Sequence, residues 1–325
     1  MSNPTFYQKA RKDEARRLAL NKIVSRGRDL CIILEAMSRK ITTDYKNIRL
    51  IAIAAVFSDD ILFEKVVLKG GNALSLVLGI SQRTSLDLDF SIEADFDDPE
   101  DIKKRLFRAL EERFRAEGYA VFDLKFESKP PVVRDGQDQR WGGYVVKFKL
   151  MESVKFEGLK SDMPSAQRDA LVIGPGEQRV FTIDLSKYEY TTGKLEAEVN
   201  DYSIYVYSPE MIVVEKLRAI CQQMPGFALR GHPAPRARDF FDIHLVVSKK
   251  KINLGSEENL ELARNIFKAK GVPFALLSTL PLQKEFHRPD WESVKASTPE
   301  VLKDFDHYFD FVVAQSLLLK PLWEE

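Results

Sequence analysis

The sequence from Leu68 to Phe90 constrains the fold more than any other part of the chain, because it places a glycine pair and an acidic strand close together. It reads L-K-G-G-N-A-L and, shortly afterwards, R-T-S-L-D-L-D-F. The apolar run before the glycines is typical of a short buried strand, and the residues from Asn72 onward are typical of a helix that opens directly behind them. A strand, a double glycine, a helix and a second strand in this order predict a mixed α/β unit.

Asp87 and Asp89 stand two residues apart in a stretch, Ser85 to Ser91, whose alternating pattern predicts a strand. Side chains two apart on a strand point to the same face, so both carboxylates are expected to project together. Two neighbouring anions repel each other, and a divalent cation removes that repulsion. Mg²⁺ prefers hard oxygen ligands and keeps substrate phosphates in its shell. The pair therefore predicts a magnesium site, with a solvated strand edge as the alternative.

Gly70 and Gly71 supply the other half of the pattern. Glycine allows the backbone to approach a ligand closely and to adopt unusual dihedral angles, and a helix that begins directly after it directs free N–H groups at an anion. A phosphate-binding turn beside a metal site is the arrangement that holds a nucleoside triphosphate with its α-phosphorus open to attack. An ordinary tight turn is the alternative for this glycine pair.

The same residues resemble the AbiEii/AbiGii toxin family of nucleotidyltransferases, within the polymerase-β-like superfamily, whose pattern is close to K-G-G-x-x-L…R-x-S-x-D-x-D-F. Two further blocks match. Residues 214–219, V-E-K-L-R-A, resemble the family's E-K-L-x-A helix, and residues 236–243, R-A-R-D-F-F-D-I, resemble its [KR]-D-x-x-D element. The matched blocks cover residues 68–90 and 214–245, and the rest of the chain agrees only in overall layout.

The resemblance and the order of predicted elements imply an α+β fold: a nucleotidyltransferase-like mixed β-sheet domain flanked by helices, followed by a mainly helical C-terminal domain. A charged amphipathic helix is expected at 99–117, and strands are expected at 120–126, 144–150, 179–185 and 202–207. Ser208 followed by proline is a typical helix start. We therefore expect an α/β domain with N-terminal helices over residues 1–207 and a helical domain over residues 208–325.

The resemblance also implies roles for individual residues. Asp87 and Asp89 are expected to be catalytic and to hold Mg²⁺, with Asp184 on a neighbouring strand as the candidate third carboxylate. Lys216 and Asp239 are the other expected catalytic residues. The residues expected to bind the nucleotide are Lys69, Gly70, Gly71, Ser85, Lys216 and Arg238.

Several of these roles have alternatives that the sequence leaves open. Lys216 lies at the edge of an apolar helix stripe. There it either neutralises charge on the departing pyrophosphate or lays its stem on the core and its ammonium in water. Asp239 either acts as a general base on the acceptor or orients Lys216. Arg238 and Asp242 lie four residues apart on one helix. The alternative to a role in the cleft is an internal ion pair that contributes little to stability.

The implied activity is Mg²⁺-dependent transfer of a nucleoside monophosphate from a nucleoside triphosphate to an RNA acceptor, expected to be the 3′ end of tRNA, with release of pyrophosphate. The resemblance further implies an abortive-infection toxin that is opposed by a cognate antitoxin. Modification of a protein or a small molecule is one alternative, and a non-catalytic nucleotide- or partner-binding module is another.

Charge and cysteine content bear on partners and compartment. Residues 1–50 hold twelve Lys or Arg against five Asp or Glu, and this basic region, with Arg230, Arg236 and Arg238, is expected to follow an RNA backbone. The formal net charge of the whole chain is zero. The start of the sequence has no apolar leader or membrane-length segment, and Cys31 and Cys221 form neither a disulfide framework nor a zinc spacing. We therefore expect a soluble cytoplasmic protein that does not contact membranes.

Overall fold

The computed structural model describes residues 45–83, 85, 87–131, 140–174, 177–227 and 233–324. The chain forms two compact units, Met1–Arg49 and Leu50–Glu325. In the first unit the described residues are 45–49, and they are helical. Residues 1–44 of the basic N-terminal region, Cys31 and Arg230 lie outside the described residues, so the expectations that concern them stay predictions. The division into domains after residue 207 likewise stays a prediction.

A seven-stranded mixed sheet lies in the second unit. Its strands are β1 (Val66–Lys69), β2 (Leu88–Ile92), β3 (Tyr119–Lys129), β4 (Gly143–Glu152), β5 (Phe181–Ser186), β6 (Leu195–Val199) and β7 (Tyr202–Val206). They lie side by side in the order β3-β4-β5-β2-β1-β7-β6. β2 runs parallel to β5 and β1 parallel to β7, whereas the other neighbours are antiparallel.

The central strands β1 and β2 are the most deeply buried part of this sheet. Val66, Leu68, Leu88 and Phe90 have no exposed surface. An uninterrupted apolar run such as that of β1 is what a strand covered on both faces requires. The strand expected from residue 85 begins only at Leu88, so Asp87 lies in the bend immediately before β2. The expectation that both acids alternate on one strand is therefore wrong for Asp87.

Helices in the first part of this unit connect and cover the strands. The helix expected at 99–117 is observed at Pro99–Ala116, with the Asp98 side chain accepting hydrogen bonds from the first-turn N–H groups of Glu100 and Asp101. It packs on β3. The helices are α1 (residues 50–57), α2 (Asp60–Lys65), α3 (Gly70–Asn72, continued by a wider π-helical turn at Ala73–Val77), α4 (Pro99–Ala116), α5 (Ser153–Leu159) and α6 (Met163–Arg168).

The chain after residue 208 is helical, as expected. Ser208 caps the first of these helices, because its hydroxyl accepts a hydrogen bond from Met211 N at 3.2 Å. The elements are α7 (Pro209–Cys221), α8 (Ala237–Lys250), α9 (Glu257–Ala269), α10 (Ala275–Ser278), α11 (Lys284–His287), α12 (Trp291–Ser297) and α13 (Phe305–Ser316), with short 3₁₀ turns at Leu280–Gln283, Arg288–Asp290 and Leu317–Leu322. α7 packs against α8 and α9, and α8 packs against α13.

The expected fold class is confirmed. A mixed sheet with flanking helices is followed by a mainly helical region. Among the described residues, no helix combines the length and the apolar character needed to cross a lipid bilayer.

Candidate active site

The backbone of Gly70 and Gly71 lies very close to the side chains of Asp89, Ser85 and Arg83. Gly70 directly follows β1 and has φ at +73°, a left-handed conformation that favours glycine. A Cβ atom added to Gly70 would lie 2.7 Å from Asp89 Oδ2, and one added to Gly71 would lie 2.9 Å from Ser85 Cβ and 3.1 Å from Arg83 Nη2. Both glycines are therefore needed for the backbone to come this close to the acidic strand.

Three carboxylates border this glycine turn. Asp89 on β2 is the direct register partner of Asp184 on β5 in a parallel pair, and such partners lie about 5 Å apart and project to the same face. Asp87 stands in the bend before β2, where Asn72 Nδ2 donates a 2.6 Å hydrogen bond to its carbonyl oxygen. Asp184 Oδ1 accepts a 2.6 Å hydrogen bond from Lys129 Nζ. The candidate third carboxylate is thus a direct neighbour of the D-x-D segment.

Ionisation of the D-x-D acids is disfavoured by their surroundings. Burial, followed by repulsion from Asp184, raises the pKa of Asp87. Burial also raises the pKa of Asp89 to about 6, and the charges of Asp184 and other acids add to this effect while Lys69 opposes it. These carboxylates lack sufficient compensating positive charge. A divalent cation would supply that charge, and carboxylate oxygens are the donors that Mg²⁺ prefers.

The acids therefore fit a divalent cation in chemistry, although they do not form a complete coordination shell. Across the described ranges, no three His, Cys, Asp or Glu side chains already stand in positions to coordinate one metal ion. In this arrangement the ammonium of Lys129 is the cation beside Asp184, since it lies 2.6 Å away. Mg²⁺ commonly keeps several waters and substrate phosphates in its shell, so one or two carboxylates suffice on the protein side.

Lys216 belongs to a buried network of charges on α7 and α8. Its Nζ lies 2.8 Å from Asp239 Oδ1 and 2.8 Å from Asp242 Oδ2. Arg83 Nη2 lies 2.9 Å from Asp242 Oδ2, and Arg236 Nε donates to Asp239. With only 6% of Lys216 exposed, the alternative of a solvated ammonium is wrong.

The same network fixes the charge states of its members. Burial opposes the charged form of Lys216, but the charges of Asp239 and Asp242 outweigh it and raise the pKa. Burial likewise opposes ionisation of Asp239, yet Arg236 and Lys216 hold its pKa below the usual range. A carboxylate whose two oxygens are occupied by cations is a poor proton acceptor. Of the two roles considered for Asp239, the geometry favours orientation of Lys216.

A second buried cluster surrounds Glu189, which the sequence did not single out. Glu189 lies 3.2 Å from Lys69, 3.2 Å from Arg218 and 3.5 Å from Lys270. Burial opposes its ionisation, but the charges of Arg218, Lys69 and Lys270 outweigh that effect and lower the pKa to about 2. Lys69, expected to contact phosphate, is thus already engaged by a carboxylate. Arg218 also pairs with Glu215 at 3.0 Å, so three cations against two acids leave this cluster with one net positive charge.

One cavity of about 800 Å³ unites these groups, and its size is within the range of small-molecule sites. Every residue expected to be catalytic, nucleotide-binding or metal-binding lines it: Lys69, Gly70, Gly71, Ser85, Asp87, Asp89, Asp184, Lys216, Arg238 and Asp239. Eight Lys or Arg and six Asp or Glu of the described residues contribute to the lining. The cavity can therefore accept a polyanion at its Lys and Arg side chains and a cation beside its carboxylates.

The residues that sequence reasoning missed are mostly partners of those it found. Arg83 lies in the quoted R-T-S-L-D-L-D-F block, but its partner Asp242 is 159 residues away. Lys129, Glu189 and Lys270 lie in segments without a recognisable motif, and Arg218 occupies the variable position of the quoted V-E-K-L-R-A block. The alternative of an ion pair between Arg238 and Asp242 is wrong, because Asp242 pairs with Arg83 and Lys216. Arg238 Nε lies 3.9 Å from Asp290, and its side chain is 57% exposed.

Comparison with solved structures finds matches of low sequence identity that cover most of the chain. JHP933 from Helicobacter pylori is 16% identical, with a TM-score of 0.47, and the match covers 87% of this chain and 93% of that protein. An antigenic nucleotidyltransferase-like protein from Paracoccidioides brasiliensis is 16% identical, with a TM-score of 0.32, and the match covers 78% of this chain and 94% of that protein. No curated protein sequence matches the chain.

Comparison with protein families gives a match across most of the chain. Residues 51–314 match the model described as nucleotidyl transferase AbiEii toxin, type IV toxin–antitoxin system. This range contains the glycine turn, the D-x-D segment, Lys216 and the α8 acids. The chain is therefore a nucleotidyltransferase that belongs to the AbiEii family of toxins of type IV toxin–antitoxin systems.

Proposed function

We propose that this toxin transfers a nucleoside monophosphate from a nucleoside triphosphate to an RNA acceptor, in a reaction that depends on Mg²⁺ and releases pyrophosphate. The observation that carries the proposal is that the glycine turn, the acids Asp87, Asp89 and Asp184, and the pair Lys216 and Asp239 all line one cavity. Separate parts of the sequence bring carboxylates and buried cations to this one cavity, where they lie close together: Lys69 is the register partner of Asp89, and Lys129 pairs with Asp184. Carboxylates that can hold a divalent cation, beside cations that can hold phosphates, suit a nucleoside triphosphate.

The acids would hold the metal. Asp87 and Asp89, with Asp184, are the oxygen donors that would bind Mg²⁺. When bound, the divalent cation supplies charge neutralisation at the phosphates and lowers the pKa of an attacking hydroxyl. Asp89 has the most to gain from this cation, because its pKa is raised to about 6 without one.

The cations of the Lys216 network, which are Arg83, Lys216 and Arg236, would hold the β and γ phosphates. Arg83, Lys216 and Arg236 share only two carboxylates, Asp239 and Asp242, so this network retains net positive charge toward the cavity. Because these side chains are already fixed by ion pairs, they need little reorganisation when the pyrophosphate leaves. Gly70 and Gly71 contribute by keeping this side of the cavity open to the phosphates.

The acceptor in this proposal is RNA, with the 3′ end of tRNA as the expected site. Exposed cations at the cavity support this choice: the side chains of Arg238 and Lys129 are 57% and 64% exposed, and phosphate backbones are bound chiefly by such groups. Membership in a toxin–antitoxin family implies a cognate antitoxin as the physiological partner. A protein or small-molecule acceptor is the competing outcome.

Transfer of label from each α-³²P nucleoside triphosphate tests the proposal. The purified chain is incubated with Mg²⁺ and either total RNA, purified tRNA or a protein extract, and a parallel reaction contains EDTA. We expect labelled tRNA that loses its label when the 3′ terminus is removed, and no labelling in EDTA. Label on protein alone would end the RNA proposal and keep the transferase.

Two variants separate the acid site from general effects on folding. Asp89→Asn keeps the size of the side chain and removes the charge, so we expect labelling to fall by at least about a hundredfold. Asp97→Asn is the matched control, because the Asp97 side chain is 96% exposed and lies outside the cavity lining. Equal labelling by the wild type and Asp89→Asn would remove Asp89 from the reaction.

A further inference from the structure

One side of the cavity is aromatic and has no part in the proposed chemistry. Trp141, Gln222 and Phe227, here called the aromatic end, all line the cavity. The rings of Trp141 and Phe227 meet edge to face with centroids 5.6 Å apart. Phosphates and metal ions would not use such a surface, whereas a planar heterocycle would.

The aromatic end also contains polar atoms without partners. Gln222 is only 4% exposed, and its Nε2 has no hydrogen-bond partner in the part of the chain that the structure describes. The indole Nε1 of Trp141 is also buried and has no hydrogen-bond partner among the described residues. Leaving a buried donor unpaired costs about 1–3 kcal/mol. Two such donors beside one cavity indicate a ligand that accepts hydrogen bonds there.

Trp141 is held in place by its backbone surroundings. Gly143 approaches β5 so closely that an added Cβ atom would lie 1.9 Å from Leu185 O. Lys270 Nζ donates hydrogen bonds to two carbonyl oxygens, that of Arg140, which precedes Trp141, at 2.9 Å and that of Lys187 at 2.5 Å. Its ammonium also lies 5.4 Å from the Trp141 ring centroid. The indole is therefore part of a built wall of the cavity.

The spacing along the chain keeps the aromatic end within reach of the acids and of Lys216. Val145 on β4 pairs with Asp184, and Trp141 precedes Val145 by four residues, which is at most about 13 Å of extended chain. Gln222 follows Lys216 by six residues, which is about 9 Å along a helix. Both estimates suit the separation between the reacting phosphate and the base of one nucleotide.

We propose that Trp141, Phe227 and Gln222 form the nucleobase subsite, and that the Gln222 amide and the Trp141 indole N–H select among the four nucleoside triphosphates. This inference rests on the proposed nucleotide transfer. The two rings supply an apolar wall for the heterocycle, and Gln222 supplies both a donor and an acceptor to its edge. A site built to hydrogen-bond one base edge rejects a base that leaves those groups unpaired.

Binding of ATP, GTP, CTP and UTP to the full chain, measured with a divalent cation and without acceptor, tests the inference. The key variant is Gln222→Met, which keeps the length of the side chain and removes both polar atoms. Because the Nε2 atom of Gln222 is buried and has no partner among the described residues, we expect this variant to fold about as stably as the wild type. We expect the ratio of affinities between the best and the worst triphosphate to fall by about tenfold or more. Gln315→Glu, whose side chain does not line the cavity, is the control and should retain the wild-type ratio.

Tryptophan fluorescence gives a second readout. Trp141→Phe keeps an aromatic ring and removes the N–H group, so we expect the change in fluorescence on nucleotide binding to disappear, while it persists in Trp323→Phe. If wild type binds no triphosphate, the proposed function itself fails. If wild type binds all four equally, or Gln222→Met keeps the wild-type preference, the subsite assignment is wrong and the transferase proposal stands.

Discussion

We expect His287 to make the stability of this chain sensitive to mild acid. The ring has no exposed surface, and its Nδ1 accepts a 3.1 Å hydrogen bond from Arg236 N, next to the first residue of α8. Burial lowers the pKa of His287 to about 4, although the charge of Asp239 opposes the shift. The unfolded chain therefore takes up a proton below its ordinary pKa of 6.5, while the folded chain stays neutral down to about 4. Stability is fully present above pH 6.5 and is lost as the pH falls through this window, by about 2 kcal/mol between pH 7 and pH 5.

Urea denaturation at half-unit pH steps measures this effect. His287→Asn is the informative variant, because its amide oxygen can accept the same backbone hydrogen bond and does not titrate. The smaller side chain lowers stability at every pH, but the free energy of unfolding should lose about 2 kcal/mol less than the wild type from pH 7 to pH 5. Parallel pH profiles for the two proteins would refute the reasoning, since the acid sensitivity would then come from other groups.

Two further predictions concern packing around the site. Asp242→Asn removes the charge of a carboxylate that has no exposed surface and pairs with Arg83 and Lys216. Breaking such a buried pair should lower the free energy of unfolding by about 3–5 kcal/mol. A loss below about 1 kcal/mol in chemical denaturation would contradict this. Gly143→Ala places a Cβ atom 1.9 Å from Leu185 O, so we expect a loss at or above the ~1–3 kcal/mol typical of overpacking, whereas an unchanged melting temperature would show that β4 and β5 can separate freely here.

Much of the fold follows from local patterns in the sequence. The apolar run before Lys69, the capped start at Ser208 and the amphipathic helix after Asp98 each carry a local signal that the structure confirms. β6 was missed because L-E-A-E-V is short, half-exposed and made mostly of residues that favour helices. Asp87 was assigned to a strand because alternation continues through it, whereas pairing begins only at Leu88.

The sequence predicts which residues belong to the candidate site better than it predicts which of them are in contact. The motif blocks identify Asp89, Lys216 and Asp239, and a family resemblance adds Asp184. No local pattern states that Asp184 is the register partner of Asp89, because strand order and register depend on the whole sheet. The Glu189 cluster was missed for the same reason: its three cations come from distant elements and meet only in the folded chain.

The central claim is that the D-x-D acids hold a divalent cation beside a bound nucleotide, and a titration with Mn²⁺ followed by electron paramagnetic resonance tests it most directly. The signal of free Mn²⁺ is measured as the ion is added to the wild type, to Asp89→Asn and to Asp97→Asn, each with a non-hydrolysable nucleoside triphosphate analogue in excess. We predict that the wild type and Asp97→Asn bind Mn²⁺ more tightly than the analogue alone, and that Asp89→Asn loses this added affinity. Equal Mn²⁺ binding by all three proteins would contradict the account.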